Sequence, residues 1–350
     1  MTEEPSEQEY PLRGPVRIPA NAVLVSDADE EIFLLYTDLS RKSSADGDTA
    51  FRGLGHLDSH RDTLTLKFRL NDPSEETAAN TPLRRDKSTR RTRHPQRKRS
   101  SQEEKILEIE LAQDKTSLRS RKGDTGSVVW RASVDLAQLI LLQHHSRNPR
   151  ALFNTDALRD AHIVELGAGT GLLSIVMAPL VRRYTATDID ALVPLIRKNV
   201  SLNVPGVLQS PPSSPSPGPQ ARPRRVTSPP QSSADIVVEA LDWITLHNAS
   251  RHSRQAHFAY PAIDLLLVVD CIYHPSLLPA LVSTIDHLTT PGRTAVLVIV
   301  ELRAEDVVRE FLERWLALSS DGGWEIWSIP GLMEGPYSMW VGWKRGVASD

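Results

Sequence analysis

Apolar and polar positions alternate in short runs through the first third of the chain. Residues 62–70 place Leu64, Leu66, Phe68 and Leu70 at every second position, the spacing of a half-buried strand. Residues 31–37 read as another strand, and Ile106, Ile109 and Leu111 suggest a third. These three predict a small β module packed against a main domain. From Val128 onward the pattern changes. An amphipathic helix is expected over 134–143, then a short apolar strand at 162–166 and a helix at 172–180. A strand at 183–187 precedes a helix at 191–202, and a further strand is expected at 235–240. Residues 263–269 form a continuous apolar run, the mark of a strand buried on both faces. A helix at 276–288, a strand at 294–300 and a strongly amphipathic helix at 305–318 follow. Two aromatic-rich strands, 324–329 and 337–343, close the pattern with no helix between them. This order predicts an α/β fold: a doubly wound, mostly parallel sheet ending in an antiparallel hairpin, with a small N-terminal β extension.

Two stretches interrupt it. Residues 71–102 hold almost no apolar side chains and carry Arg84, Arg85, Arg90, Arg91, Arg93, Arg97, Lys98 and Arg99. Ordering them would bury too little surface to offset the chain entropy, so a solvated insertion is expected. Such a run also suits nuclear targeting or contact with RNA. Residues 205–233 are dense in proline and serine, which excludes helix and central strand. The expected division is an extension over 1–115 and a main domain over 116–350.

Composition narrows the class. The net charge of −3 gives no global argument for nucleic acid or an anionic membrane as partner. The one cysteine, Cys271, excludes an internal disulfide framework and suits a reducing compartment; it reads as a small buried residue. The longest apolar runs fall far short of the ~18 residues that span a bilayer. The acidic start carries no apolar leader segment. A monomeric intracellular protein is expected, cytoplasmic, with nuclear entry left open by the basic run.

The most informative stretch follows the 162–166 strand: Glu165-Leu166-Gly167-Ala168-Gly169-Thr170-Gly171, opening a helix. Its glycines allow a tight turn and let a ligand approach bare backbone N–H groups. Leu172 stands where a dinucleotide fold has its third glycine. Glu165, just before the turn, would repel a pyrophosphate and welcome an ammonium. Asp188 ends the next strand, placed to accept hydrogen bonds from ribose hydroxyls. A ligand with an amino acid moiety and a ribose fits this combination, which favours S-adenosylmethionine over a nicotinamide cofactor.

Five motifs then stand in one register: Val128-Val129-Trp130, the glycine turn, Thr187-Asp188, Leu241-Asp242-Trp243 and Asp270-Cys271-Ile272-Tyr273. In this the chain resembles the seven-β-strand protein lysine methyltransferases with a D-x-x-Y motif. Within them it is most similar to the fungal ribosomal-protein lysine methyltransferase branch. The resemblance implies a seven-stranded class I, Rossmann-like methyltransferase fold over roughly residues 123–344. It also implies S-adenosylmethionine as donor and a folded protein, a ribosomal protein by preference, as substrate. It assigns Trp130 to the methionine end of the cofactor. Glu165, Gly167, Ala168, Gly169 and Gly171 go to the turn, Asp188 to the ribose, Trp243 to the adenine and Val269 to the adenosyl group. Asp270 and Tyr273 fall beside the transferred methyl as the catalytic pair. The family often has glycine after the adenine-covering aromatic, where this chain has Ile244.

Methyl transfer from a sulfonium needs alignment and a neutral amine. A lysine with a pKa near ~10.4 arrives protonated at neutral pH. Asp270 is expected to orient the ammonium, accept its proton or relay it to water, with Tyr273 in support. Glu301-Leu302-Arg303 reads as a structural ion pair, and His144-His145 has no companion ligands at metal spacing. Other readings are a methyltransferase for RNA or a small molecule on the same fold, and a non-catalytic methyltransferase-like binding module. A nicotinamide-dependent oxidoreductase is disfavoured by Glu165, the glycine spacing and the terminal hairpin.

Overall fold

In the computed structural model, residues 12–46, 55–70, 105–114, 125–146, 151–205, 235–318 and 323–346 are described. The basic insertion and residues 206–233 of the proline-rich one lie outside them. In chain order the elements begin with β1 (Leu12–Arg13), β2 (Val16–Arg17), β3 (Val23–Leu24), α1 (Ala28–Asp46), β4 (Thr63–Arg69) and β5 (Ile106–Ala112). Next come α2 (Arg131–Ser146), α3 (Thr155–Arg159), β6 (His162–Leu166), α4 (Leu172–Met177), β7 (Arg183–Asp188) and α5 (Val193–Asn203). After these stand β8 (Asp235–Ala240), α6 (Trp243–Asn248), α7 (Arg251–His257), β9 (Leu265–Val269) and α8 (Leu278–Leu288). The last are β10 (Ala295–Glu301), α9 (Glu305–Leu316), β11 (Trp324–Ser328) and β12 (Tyr337–Lys344).

The continuous apolar runs form the middle of the main sheet, whose order is β3-β11-β12-β10-β9-β6-β7-β8. The strands β10, β9, β6, β7 and β8 are parallel neighbours, and β12 runs antiparallel to β10 and β11. This is the doubly wound sheet with a closing hairpin that the pattern predicts. An eighth strand joins it, because Val23 and Leu24 pair with Ser328 and Trp327 at the edge. Strand alternation divides the core. Leu265, Leu267 and Val269 face a cluster with α2, α4 and α5, whereas Leu266 and Val268 face one with α1, α8 and α9. The C-terminal tryptophans divide in the same way. Trp324 and Trp340 pack with Phe311 and Trp315, while Trp343 lies in the opposite cluster.

Residues 31–37 correct the sequence reading: they lie inside α1. Ala28, Ile32, Leu35, Tyr36 and Leu39 repeat at helical spacing and pack on the α9 side of the sheet. Asp27 caps the helix by accepting from the Glu30 amide, and Asp29, Glu30 and Glu31 suit the positive N-terminal end. Glu31 accepts from Ser328 Oγ and Trp340 Nε1 at 2.7 and 2.9 Å. Among the described residues the N-terminal extension therefore has two strand pairs of its own, β1–β2 and β4–β5, and no separate core. Leu64, Leu66, Phe68, Ile109 and Leu111 share a core with α2 and β6. Asn199 on α5 locks β5 in place, accepting from the Ala112 amide at 2.8 Å and donating to the carbonyls of Ala112 and Thr170.

The chain leaves β6 towards β7 and β8 on one side and returns as β9 on the other. Such a reversal opens a crevice beyond the carboxyl ends of the two central strands.

Candidate active site

A cleft occupies that crevice. It is lined by Trp130, Glu165, Gly167, Ala168, Gly169, Asp188, Trp243, Val269, Asp270 and Tyr273, which come from five separate segments. Gly171 is not among its lining residues. It caps α4 with a left-handed backbone, and a Cβ there would meet Ile196 Cγ2 at 2.9 Å. Its role is close packing of α4 on α5, a correction to the expected ligand contact.

The floor of the cleft requires glycine. Gly167 has φ +70°, and a Cβ would stand 2.7 Å from Cys271 Sγ and 3.4 Å from the Trp243 ring. Gly169, at φ +56°, would press a Cβ to 3.0 Å from the Gly126 carbonyl. Asp188 braces the same turn: its Oδ2 accepts from the Gly169 amide and its Oδ1 from the Ile189 amide, both at 2.8 Å. The carboxylate is thus held rigidly at the cleft wall. Gly167→Ala is expected to lower affinity for S-adenosylhomocysteine at least tenfold, measured by isothermal titration, because strain and clash fall on the binding floor.

Glu165 is almost wholly buried, and Tyr184 donates to its Oε2 at 2.7 Å. Burial pushes its carboxyl up to about 7; the Tyr184 hydroxyl opposes the shift and the Asp188 charge adds to it. Trp243 opens α6, where Asp242 caps by accepting from the Ile244 amide at 2.9 Å. Its buried Nε1 has no hydrogen-bond partner among the described residues. Ile244, the departure from the family pattern, points largely to solvent at 47% exposure and leaves the ring position intact. Cys271 is buried with its Sγ 3.2 Å from the Leu166 carbonyl, and burial pushes its thiol well up. It is a packing residue.

The methyl end differs from the expectation of an available base. Asp270 follows β9 with φ +58°, the one positive φ outside glycine among the described residues. Arg303 grips its carboxylate from both prongs, Nη1 to Oδ1 at 2.9 Å and Nη2 to Oδ2 at 2.6 Å. The Glu301 amide donates to Oδ1 at 3.2 Å. Burial pushes the Asp270 carboxyl up, while the guanidinium and that amide pull against it. Arg303 Nη2 also reaches Glu301 Oε2 at 2.7 Å, and the guanidinium lies 5.0 Å from the centre of the Trp130 ring. Trp130 is itself anchored by Nε1 donating to the Thr125 carbonyl at 2.9 Å. The Glu301–Arg303 ion pair expected from sequence is present, but it reaches into the site through Asp270. Among the described residues no group of three or more His, Cys, Asp or Glu side chains is placed to hold a metal ion.

S-Adenosylmethionine fits these residues on three observations. The floor is backbone without side chains, a buried indole N–H without a partner among the described residues belongs to a lining side chain, and carboxylates stand at opposite ends of the turn.

Comparison with known proteins decides the family. The lysine methyltransferase family pattern matches residues 111–211 and 226–316, more than half of the chain. The chain belongs to the lysine methyltransferase family. Ribosomal lysine N-methyltransferase 5 of Candida glabrata is 23% identical over 344 residues, covering 85% of this chain and 92% of that protein. Protein N-lysine methyltransferase METTL21A of Danio rerio is 28% identical over 197 residues, 56% of this chain and 68% of its own length. A Schizosaccharomyces pombe protein named diaminohydroxyphosphoribosylamino-pyrimidine deaminase is 29% identical over 209 residues. That match spans 59% of this chain and only 41% of the Schizosaccharomyces pombe protein. All five motifs, from Val128 to Tyr273, lie within the residues matched. Gly126 in the cleft lining, and Arg303 behind Asp270, are among the residues to which sequence reasoning gave no role in the site. Gly126 was within reach, being two positions before the Val128-Val129-Trp130 motif.

Proposed function

We propose that this chain transfers a methyl group from S-adenosylmethionine to a lysine side chain of a folded protein, by preference a ribosomal protein. The observation that carries the reading is the cleft at the β6/β9 reversal, where Glu165, Asp188, Trp243 and Asp270 surround one bare glycine turn. Family membership and the names of the Candida glabrata and Danio rerio relatives support a protein lysine as acceptor. The reading takes the protein as a monomer acting in the cytoplasm.

The bound donor would supply an electrophilic methyl on a sulfonium with a good leaving group. Asp188, braced by two amides, would hold the ribose hydroxyls. Glu165 would pair with the amino group of the methionine moiety, and Trp243 would cover the adenine with its indole N–H turned to a polar partner. Trp130 and Tyr273 would wall the acceptor side and exclude water. Asp270, gripped by Arg303, orients the acceptor rather than taking its proton, which leaves for water. Charge neutralisation by Arg303 also keeps Asp270 from raising the acceptor's pKa.

The test is incubation of the purified protein with methyl-tritiated S-adenosylmethionine and a native extract lacking the endogenous enzyme. A discrete labelled protein band containing methyllysine on hydrolysis is expected. It should fade at least a hundredfold with Asp270→Asn, which tolerates the left-handed backbone. Label in RNA or small molecules, or full activity of the variant, would overturn the reading or the role of Asp270 respectively.

A further inference from the structure

Glu165, the penultimate residue of β6, carries a carboxylate that no cation balances among the described residues. It is 2% exposed, and the charge that acts on it is a second acid, Asp188. A buried carboxylate so placed is costly, which makes its partners informative. Its two oxygens are used differently. Oε2 accepts from the Tyr184 hydroxyl at 2.7 Å. Oε1 accepts no hydrogen bond among the described residues and is not sealed from solvent. Because Glu165 lines the cleft, Oε1 is the oxygen that a ligand meets.

Tyr184 is wholly buried on β7, in the core that the sheet shares with α2, α4 and α5. The strand register sets Ala186 beside Glu165, so Tyr184, two residues earlier, lies on the same face as the carboxylate. Thr187 Oγ1 donates to the Glu165 carbonyl at 2.6 Å and fixes the backbone, which leaves the side chain to Tyr184. The charged groups of the packed elements are engaged elsewhere. On α2, Arg131 and Asp135 act on each other; α4 carries no titratable side chain; Arg197 of α5 donates to the Val238 carbonyl. Across the turn, Cys271 feels the charges of Glu165, Asp188 and Asp270. A phenol, and not a cation, therefore faces the carboxylate. A neutral donor fixes its direction without cancelling its charge.

We propose that Tyr184 is a positioning residue for the amino group of the ligand: its hydroxyl holds Oε2 and so presents Oε1 of a still-charged Glu165 to the cleft. This rests on the S-adenosylmethionine reading of the cleft. An ammonium on the amino acid moiety completes the carboxylate, and a nucleoside without that group gains nothing from Tyr184.

The test is isothermal titration of the full chain at neutral pH with S-adenosylhomocysteine and with 5′-methylthioadenosine, which keeps the adenosine and the thioether but has no amino group. Wild type is expected to bind S-adenosylhomocysteine about tenfold or more tightly than the nucleoside. Tyr184→Phe, which keeps the buried ring, should lower affinity for S-adenosylhomocysteine about tenfold or more and leave that for 5′-methylthioadenosine within about twofold. In a Glu165→Gln background the same change should alter S-adenosylhomocysteine affinity less than about twofold, because the hydroxyl acts through the carboxylate. Equal losses for both ligands would make Tyr184 a packing residue and overturn the proposal, as would an unchanged affinity for S-adenosylhomocysteine or no preference in wild type. If Tyr184→Phe alone does not fold, the double variant against Glu165→Gln decides: a further loss beyond about twofold overturns it as well. Failure of wild type to bind either nucleoside would instead overturn the underlying reading.

Discussion

Arg303→Met should lower stability by about 3 kcal/mol and reduce methyl transfer at least a hundredfold. Among the described residues the guanidinium is the one cation bonded to Asp270, whose side chain is only 2% exposed. Removing it leaves two largely buried acids side by side with no guanidinium between them, although the Glu301 amide still donates to Asp270. The figure sits at the low end for breaking a buried pair because Arg303 itself is 22% exposed and water will partly replace it. Methionine keeps a long unbranched side chain beside Trp130 while removing the guanidinium charge that faces its ring. The measurement is the midpoint of urea unfolding, with wild type and Asp270→Asn run in parallel. The Arg303→Met, Asp270→Asn double variant should recover part of the loss, since the amide no longer needs a counter-ion. The deficit should also shrink on acidification. Without Arg303 the folded-state pKa of Asp270 lies above its unfolded value, and the penalty disappears once both states are protonated. A deficit below about 1 kcal/mol, independent of pH, would show that the pair contributes little.

Glu165 should make both stability and ligand affinity depend on pH near neutrality. Its folded-state value of about 7 stands above the ordinary 4.5, so the folded chain retains a proton that the unfolded chain has already released. Stability contributed at this position is therefore undiminished below pH 4.5. It falls as pH rises to about 7, and the full cost of about 3 kcal/mol is in place above that. Glu165→Gln removes the titration. The difference in urea midpoint between variant and wild type should grow across this window in favour of the variant. Binding has the opposite dependence. An amino group paired with Glu165 needs the ionised carboxylate, so affinity for S-adenosylhomocysteine should rise roughly tenfold or more from pH 5.5 to 8. The same titrations of Glu165→Gln should be flat. A pH-independent affinity in wild type would mean that Glu165 holds its proton with ligand bound and serves only Tyr184.

Much of the cleft was legible in the chain because its residues obey local rules. Positive φ at Gly167 and Gly169 needs glycine whatever surrounds it, and a strand end places Asp188 and Asp270 at the carboxyl edge of the sheet. Residues 31–37 were read wrongly because a run of five apolar side chains fits a buried strand and a helix equally well. The decision lay in Asp27 as a cap and in the helical spacing of Ala28, Ile32, Tyr36 and Leu39. Gly171 was assigned to the ligand because a glycine motif does not reveal which member faces the cleft and which faces a neighbouring helix.

The amino-acid sequence by itself determined the parallel core, the terminal hairpin, the glycine turn and the family. These follow from side-chain period, turn stereochemistry and residue order, all properties of neighbours along the chain. Only the tertiary structure decided what Asp270 does. Its carboxylate meets Arg303 because β9 and β10 pair in a register that sets Val269 beside Ile299 and lets the Asp270 amide donate to the Ile299 carbonyl. That pairing brings together groups 33 positions apart, and the N-terminal Gly55 closes over them from more than two hundred residues away. Charge compensation acts through space between strand ends, and no period along the chain encodes which strand end lies next to which.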